Sequence, residues 1–238
     1  MANVYSIERP KVSVIIPAYN EERYIAATIE SVQHQTYCGP LEVIVVANGC
    51  SDRTAEIARR YTRQVYVKNK ANLSAARNLG ARHSRGDILV FLDADTRMSL
   101  TVMQHIIELY HRSSQDFFIG KCAVQPDGDE VPAHILVGVK NIMHKMGLGC
   151  GGVGILFCNR ALFCTIGGFN ETLHIFEFSD FIKKATEMGA SVMYVSECVT
   201  TSMRRYRNMG YLSVCRFWIR NLTRFAFGRV LERQRAYR

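Results

Sequence analysis

The chain has 238 residues, 48% of them apolar and 21% charged, which suits one substantial α/β domain with a C-terminal appendage and excludes a disordered or repetitive protein. Thirty Lys and Arg against 21 Asp and Glu give a formal charge of +9 and a pI near 9.2. That balance favours anionic partners (phosphates, nucleic acid or a lipid surface) without choosing among them.

Eight cysteines occur without a CxxC pair or a zinc-type Cys/His spacing. They read as small buried hydrophobes in a reducing compartment, Cys158, Cys164 and Cys215 among them. Residues 1–10 lack the apolar core of a signal peptide, and no run approaches about 18 continuous apolar residues. A cytoplasmic, non-spanning protein is expected.

Residues 12–16 form a first apolar strand that ends at Pro17-Ala18-Tyr19-Asn20-Glu21-Glu22. Asn20 suits a helix N-cap, and Ile25, Ile29 and Val32 recur at helical spacing behind it. The turn has no GxGxxG, so it is not a dinucleotide fingerprint. A second strand, residues 42–47, runs into Asn48-Gly49-Cys50-Ser51-Asp52-Arg53-Thr54, with Ser51 or Asp52 as cap of a helix reaching about Arg63. Residues 64–67 make a third strand. Residues 72–80 follow as a small-residue helix that can pack closely and presents Arg77 near the same edge as the loops.

The stretch Gly86-Asp87-Ile88-Leu89-Val90-Phe91-Leu92-Asp93-Ala94-Asp95 places two acids after five uninterrupted apolar residues. Such a run predicts a buried strand of a parallel sheet, and alternation along an extended backbone turns Asp93 and Asp95 to one side, able to face a cation together. Asp127-Gly128-Asp129 has the same spacing, but Pro126 and Gly128 make it a polar, solvated turn.

Residues 100–110 are an amphipathic helix, and residues 117–124 a strand. The alternation of strand and helix through residue 95 predicts right-handed βαβ units, and beyond it the pattern is mixed. The glycine-dense residues 147–154 either approach a ligand or turn tightly into a strand at residues 153–157. Then come Gly167-Gly168-Phe169-Asn170-Glu171, a helix entered through Phe176-Glu177-Phe178-Ser179-Asp180-Phe181 and ending near Gly189, and a last strand at residues 191–195.

From Arg204 onward ten arginines meet one acid, Glu232, and alternate with Tyr206, Tyr211, Phe217, Trp218, Phe225 and Phe227. Leu212, Cys215, Ile219 and Leu222 fall on one helical face. This is either an interfacial segment on anionic lipid or a helix that packs on the domain and solvates its arginines. Residues 1–200 therefore read as the main domain, and residues 201–238 as a basic aromatic helical appendage.

In order and spacing, the segments starting at Val12, Val45, Asn72, Asp93 and Gly167 resemble family 2 glycosyltransferases over roughly residues 12–195. The resemblance implies an α/β GT-A fold, a Rossmann-like nucleotide-binding mixed sheet flanked by helices. It also implies a nucleotide-diphosphate sugar donor, Mg2+ or Mn2+, and inversion at the anomeric carbon. Carried over, Pro17, Ala18, Tyr19 and Glu21 line the nucleoside pocket, with Asn48 beside the base and Arg77 near the base or diphosphate. Asp93, with Ala94, approaches the ribose or sugar, and Asp95 holds the metal. Arg204 and Arg205 are candidate diphosphate clamps or solvated arginines.

Two positions depart from the family pattern. Ala47 stands where an acid usually faces uracil, and Glu177-Phe178-Ser179-Asp180 stands where Glu-Asp-x-Asp is usual. Phe178 thus occupies the place of the base, leaving Glu177, preferred, or Asp180, or His174 in a shifted alignment. The leading expectation is an inverting transferase that builds a lipid-linked or cell-surface glycan at the cytoplasmic membrane face, with a glycan or lipid-linked acceptor. The alternative is a nucleotide-sugar-binding partner protein that has lost catalysis. Nucleic-acid binding is disfavoured, because the aromatics fall on a helix rather than on a sheet platform.

Overall fold

The computed structural model describes residues 9–113, 116–146, 154–173 and 175–226, with the side chains of 222–226 left aside. One eight-stranded sheet carries the chain. Its parallel half is β3 (Gln64–Lys68), β2 (Leu41–Asn48), β1 (Val12–Ala18) and β4 (Ile88–Leu92), in that spatial order. Beyond β4 lie β7 (Ile155–Asn159), antiparallel to both neighbours, then β6 (Phe118–Pro126), β8 (Ser191–Thr201) parallel to it, and the short β5 (Thr96–Met98) antiparallel at the edge.

Strand alternation divides the core into two layers. Val12, Val14, Ile16, Val43, Val45 and Val90 face α1 (Ile25–Gln33), α2 (Thr54–Ala58), α4 (Val102–Arg112) and α5 (Val131–Lys145). Ile15, Ile44, Val46, Leu89 and Phe91 face α3 (Leu73–His83), α6 (Arg160–Ile166) and α7 (Glu177–Glu187). The inner strands β1, β2 and β4 are covered on both faces, which is why they read as apolar runs, whereas β3 at the edge is half-exposed. The close packing expected of α3 is present at Gly80, where an added Cβ would lie 2.4 Å from Ile15 Cγ2.

Several boundaries differ from expectation. Asn20 does not cap α1, which starts at Ile25. Asn20 adopts a left-handed φ of 54° and accepts a hydrogen bond from the Ser51 N–H at 2.8 Å, tying two loops together instead. Helix α2 stops at Ala58, because the Thr62 hydroxyl is drawn to the Val43 carbonyl at 2.8 Å as the chain turns into β3. Strand β8 continues to Thr201 past a bulge: Cys122 pairs with Val195 and Ala123 with Cys198, so Ser196 and Glu197 lie unpaired between the two registers. Those polar residues hide the second half of the strand.

Asp127 is not merely solvated. It accepts the Met203 N–H at 2.9 Å and pairs with Arg207 at 2.8 Å, which fastens α8 (Arg204–Met209) to the end of β6. Among the described cysteines Cys122 and Cys158 are buried as expected, but Cys164 and Cys38 are exposed and Cys215 is half-buried. The strand expected at residues 153–157 is β7, two residues later; the glycine-dense segment at 147–153 and the candidate His174 lie outside the described residues.

After Gly210 the chain enters α9 (Tyr211–Ala226). Its packed face lies away from the line of Leu212 and Ile219. Val214 and Asn221 are buried and Trp218 meets Phe176 edge-on at 5.6 Å, whereas Leu212 and Ile219 point to solvent. No described helix is long and apolar enough to cross a membrane.

Candidate active site

The loops after β1 and β2 are zipped together by their own polar atoms. The Glu21 N–H donates to Thr54 Oγ1 at 2.7 Å, the Glu22 N–H to Asp52 Oδ2 at 3.0 Å, and the Cys50 thiol to the Ala18 carbonyl at 3.2 Å. Asn48 at the end of β2 accepts the Asn72 N–H at 2.8 Å, and Asn72 caps α3 by accepting from the Ala75 N–H at 2.9 Å. One hydrogen-bond chain therefore sets both the β2 loop and the start of the helix that carries Arg77.

Arg77 is 1% exposed. A guanidinium so buried must find anions, and it does: Nη1 donates to Glu177 Oε1 at 2.7 Å and Nη2 to Asp93 Oδ1 at 3.0 Å. Its flat face lies 3.9 Å from the centroid of Phe178 and 5.6 Å from that of Phe169. The Gly167–Glu171 loop is held against the same helix, because Asn78 donates to the Phe169 carbonyl and accepts its N–H, at 2.9 and 2.8 Å.

Strand β4 ends at Leu92, so Asp93-Ala94-Asp95 forms a turn rather than continuing extended; the Thr96 N–H closes it onto the Asp93 carbonyl at 3.0 Å. The turn is pinned by the Thr28 hydroxyl on the Ala94 carbonyl at 2.8 Å and by the Asp93 N–H on the Gly154 carbonyl at 2.8 Å. Both carboxylates still enter one cavity. Burial, with Asp93 nearby, pushes Asp95 up to about 6; burial also raises Asp93, against the pull of Arg77.

Arg204 reaches over from α8 to pair with Glu21 and stands 3.5 Å from Asp95, its guanidinium 4.5 Å above the ring of Tyr24. Burial raises Glu21 to about 7 even with Arg204 beside it, and Glu21 Oε2 has no hydrogen-bond partner.

These groups surround one cavity of about 480 Å³ at the carboxyl ends of β1, β2 and β4. It is lined by Pro17, Ala18, Tyr19, Glu21, Asn48, Arg77, Asp93, Ala94, Asp95, Glu177, Arg204 and Arg205, which brings together every candidate site residue among the described ones except Asp180. Asp180 does not line it; its carboxylate pairs with Lys184 at 2.9 Å, one turn along α7. Sequence reasoning missed the second wall, formed by Leu136, Lys140 and Met143 of α5 with Trp218 of α9.

The profile of "Glycosyl transferase family 2" matches residues 13–162. The chain belongs to that family. A family member from Haemophilus influenzae, described as an uncharacterized glycosyltransferase, is 29% identical over 190 residues, covering 76% of this chain and 64% of that protein. The chain spans less than two thirds of the first curated relatives it matches.

Among solved structures, a mannosyltransferase from Pyrobaculum calidifontis in complex with GDP-Man and Mn2+ superposes with a TM-score of 0.65 at 21% identity, covering 81% of this chain and 56% of that one. The S. aureus TarS 1-349 complex with UDP-GlcNAc gives 0.63 at 20% identity, covering 81% and 58%. The mixed sheet flanked by helices is thus the GT-A fold of these enzymes.

Among the described residues no cluster of three or more His, Cys, Asp or Glu is arranged to hold a metal ion by itself. The donor set nevertheless suits a hard divalent cation. Asp95 is a half-buried carboxylate facing the cavity 3.5 Å from Arg204 and Glu21 Oε2 is unpartnered, and magnesium or manganese at a diphosphate takes one or two protein carboxylates and completes its shell with phosphate and water.

Proposed function

We propose that this family 2 member is an inverting glycosyltransferase that moves a sugar from a nucleotide-diphosphate donor to a hydroxyl acceptor. The observation that carries the reading is the convergence of Glu21, Asp93, Asp95 and Glu177 with Arg77, Arg204 and Arg205 around one cavity at the switch edge of the sheet. Tyr19 and Asn48 border the nucleoside end. Arg204 and Arg205 supply positive charge for the diphosphate.

Asp95 would hold Mg2+ or Mn2+, which when bound neutralises charge gathering on the departing nucleotide diphosphate. The acceptor oxygen forms its bond to the anomeric carbon from the face opposite the leaving group, whose oxygen departs with the bonding pair. Glu177 is the carboxylate positioned to take the acceptor proton, with Oε1 steadied by Arg77 Nη1. Asp180 is a weaker candidate, being engaged by Lys184 outside the cavity. The acceptor is a lipid-linked molecule or cell-surface glycan met at the cytoplasmic membrane face. The basic surplus after Arg204 supports that placement.

The test is nucleotide release from a panel of nucleotide sugars with manganese present, alongside donor binding by calorimetry, for wild type, Asp95→Ala and Glu177→Gln. Turnover that falls at least about a hundredfold in both variants supports the proposal. Failure to bind or turn over any nucleotide sugar overturns it. Donor binding without turnover, untouched by Glu177→Gln, assigns the chain instead to a binding role without catalysis. The clamp of Arg77 on Glu177 and the phenylalanine at 178 favour that second reading.

A further inference from the structure

Helix α5 shows solvent an apolar stripe that the packed domain does not need. Val131, Ile135, Val139, Ile142 and Met146 are 53–68% exposed. At 100° per residue these five positions fall within an arc of about 80°, and at 1.5 Å per residue the stripe runs for about 22 Å. The opposite side of the helix is the one in the core, through Ala133 and Val137. The stripe is therefore a second hydrophobic face rather than an extension of the first.

Val139 belongs to both the stripe and the cavity wall, and Ile219 of α9, also exposed, lines the cavity from the other side. The mouth of the cavity thus opens beside the stripe. The surrounding charge is predominantly positive. Residues 131–146 contain no acid and carry Lys140 and Lys145, residues 204–226 are equally acid-free, and of the three acids before the helix Asp127 and Glu130 are both taken by Arg207, leaving Asp129 exposed at its start. A second copy of the chain would set like charge against like around the same stripe, whereas anionic headgroups complement it.

We propose that α5 is the face by which the chain lies on an anionic bilayer, with the basic side of α9 beside it and the cavity mouth at the headgroup level. Resting on the proposed transferase function, this places the active site where a membrane-held acceptor presents its hydroxyl without leaving the lipid. It also takes Trp218 out of the membrane contact, because Trp218 packs on Phe176 instead of pointing outward.

The experiment is co-sedimentation with phosphatidylcholine vesicles with and without about one third phosphatidylglycerol, for wild type, Ile135→Glu/Ile142→Glu and the uncharged Ile135→Gln/Ile142→Gln. Neither residue lines the cavity. Calorimetry with free nucleotide diphosphate and manganese reports on the fold and on the donor site. Wild type is expected to sediment with anionic vesicles, and both variants to bind them at least about tenfold more weakly while nucleotide affinity stays unchanged. Vesicle binding that survives both substitutions, or wild type that stays in the supernatant, overturns the proposal. So does a wild-type dimer that the substitutions dissociate, which would give the stripe to a second copy. If nucleotide binding is absent while vesicle binding behaves as stated, the transferase reading fails and the membrane face stands.

Discussion

Replacing Arg77 by Met tests the electrostatic centre of the site. The side chain is 1% exposed and holds Glu177 and Asp93 with one nitrogen each, at 2.7 and 3.0 Å. Methionine fills much of the volume but leaves both carboxylates facing each other without the guanidinium that bridges them, with Lys140 the remaining cation acting on Asp93. Breaking a buried pair from one side costs about 3–5 kcal/mol, and losing the stacking on Phe178 accounts for up to about 2 kcal/mol within that range. The two anions do not double the cost, because one can accept a proton.

That escape gives the assay its second reading. Burial already raises Asp93 against the pull of Arg77, and removing that pull raises it further above its unfolded value, so the variant must gain more stability than wild type as pH falls from 7 towards the unfolded carboxylate range near 4. Urea unfolding of wild type and Arg77→Met at pH 7 and pH 5 should therefore show a deficit of about 3–5 kcal/mol that shrinks at the lower pH. Arg77→Lys should recover only part, since one ammonium cannot present the two-nitrogen fork. A loss below about 1 kcal/mol, or a deficit that does not change with pH, would refute the idea that this cluster is a dry, mutually compensated unit.

Gly80→Ala should destabilise by about 1–3 kcal/mol in urea unfolding, because its Cβ would strike Ile15. Gly138→Ala in α5, with nothing within 4 Å, should be neutral or gain up to about 1 kcal/mol. Glu21, raised to about 7 against 4.5 when unfolded, makes stability fall as pH rises from about 4.5 to 7 and level off above. The fall is at most about 3 kcal/mol, and Glu21→Gln should flatten that limb of a denaturation-midpoint profile. Asp95→Asn should abolish the gain in nucleotide-diphosphate affinity that manganese brings, read by calorimetry, while leaving the unfolding midpoint near that of wild type.

The parallel half of the fold was legible because its inner strands β1, β2 and β4 are buried on both faces and so read as apolar runs, and because each ends in a polar loop at the same edge. The other half was legible only in part: strands near 117–124, 153–157 and 191–195 stand out in the sequence, but the end of β8 and the whole of β5 do not. The bulge in β8 puts Ser196 and Glu197 inside a strand, and β5 is three residues long. Helix α5 escaped for a different reason: apolar residues occur on two sides of it, inward at Ala133 and Val137 and outward at Ile135 and Ile142, so no single amphipathic period stands out. The wall it contributes to the cavity was hidden with it. A helix that is apolar beyond the needs of its core is the same signal that points to a second partner.

The first turn of α7 shows why position 178 can depart from the family pattern without emptying the site. Phe176, left-handed at φ 62°, brings the chain abruptly into the helix, so that Glu177 enters the cavity and meets Arg77. Phe178 then lies under the guanidinium among Phe169 and Phe181, where a carboxylate would be set into an aromatic cluster. Asp180 has turned far enough along the helix to be drawn to Lys184. Of the two acids in residues 177–180 only Glu177 therefore lines the cavity, and it is the one held by the buried cation. If Glu177 does the chemistry, Arg77 both positions it and holds it in place, and Arg77→Lys should lower turnover more than donor affinity. An equal loss of both would make Arg77 a donor-binding residue instead.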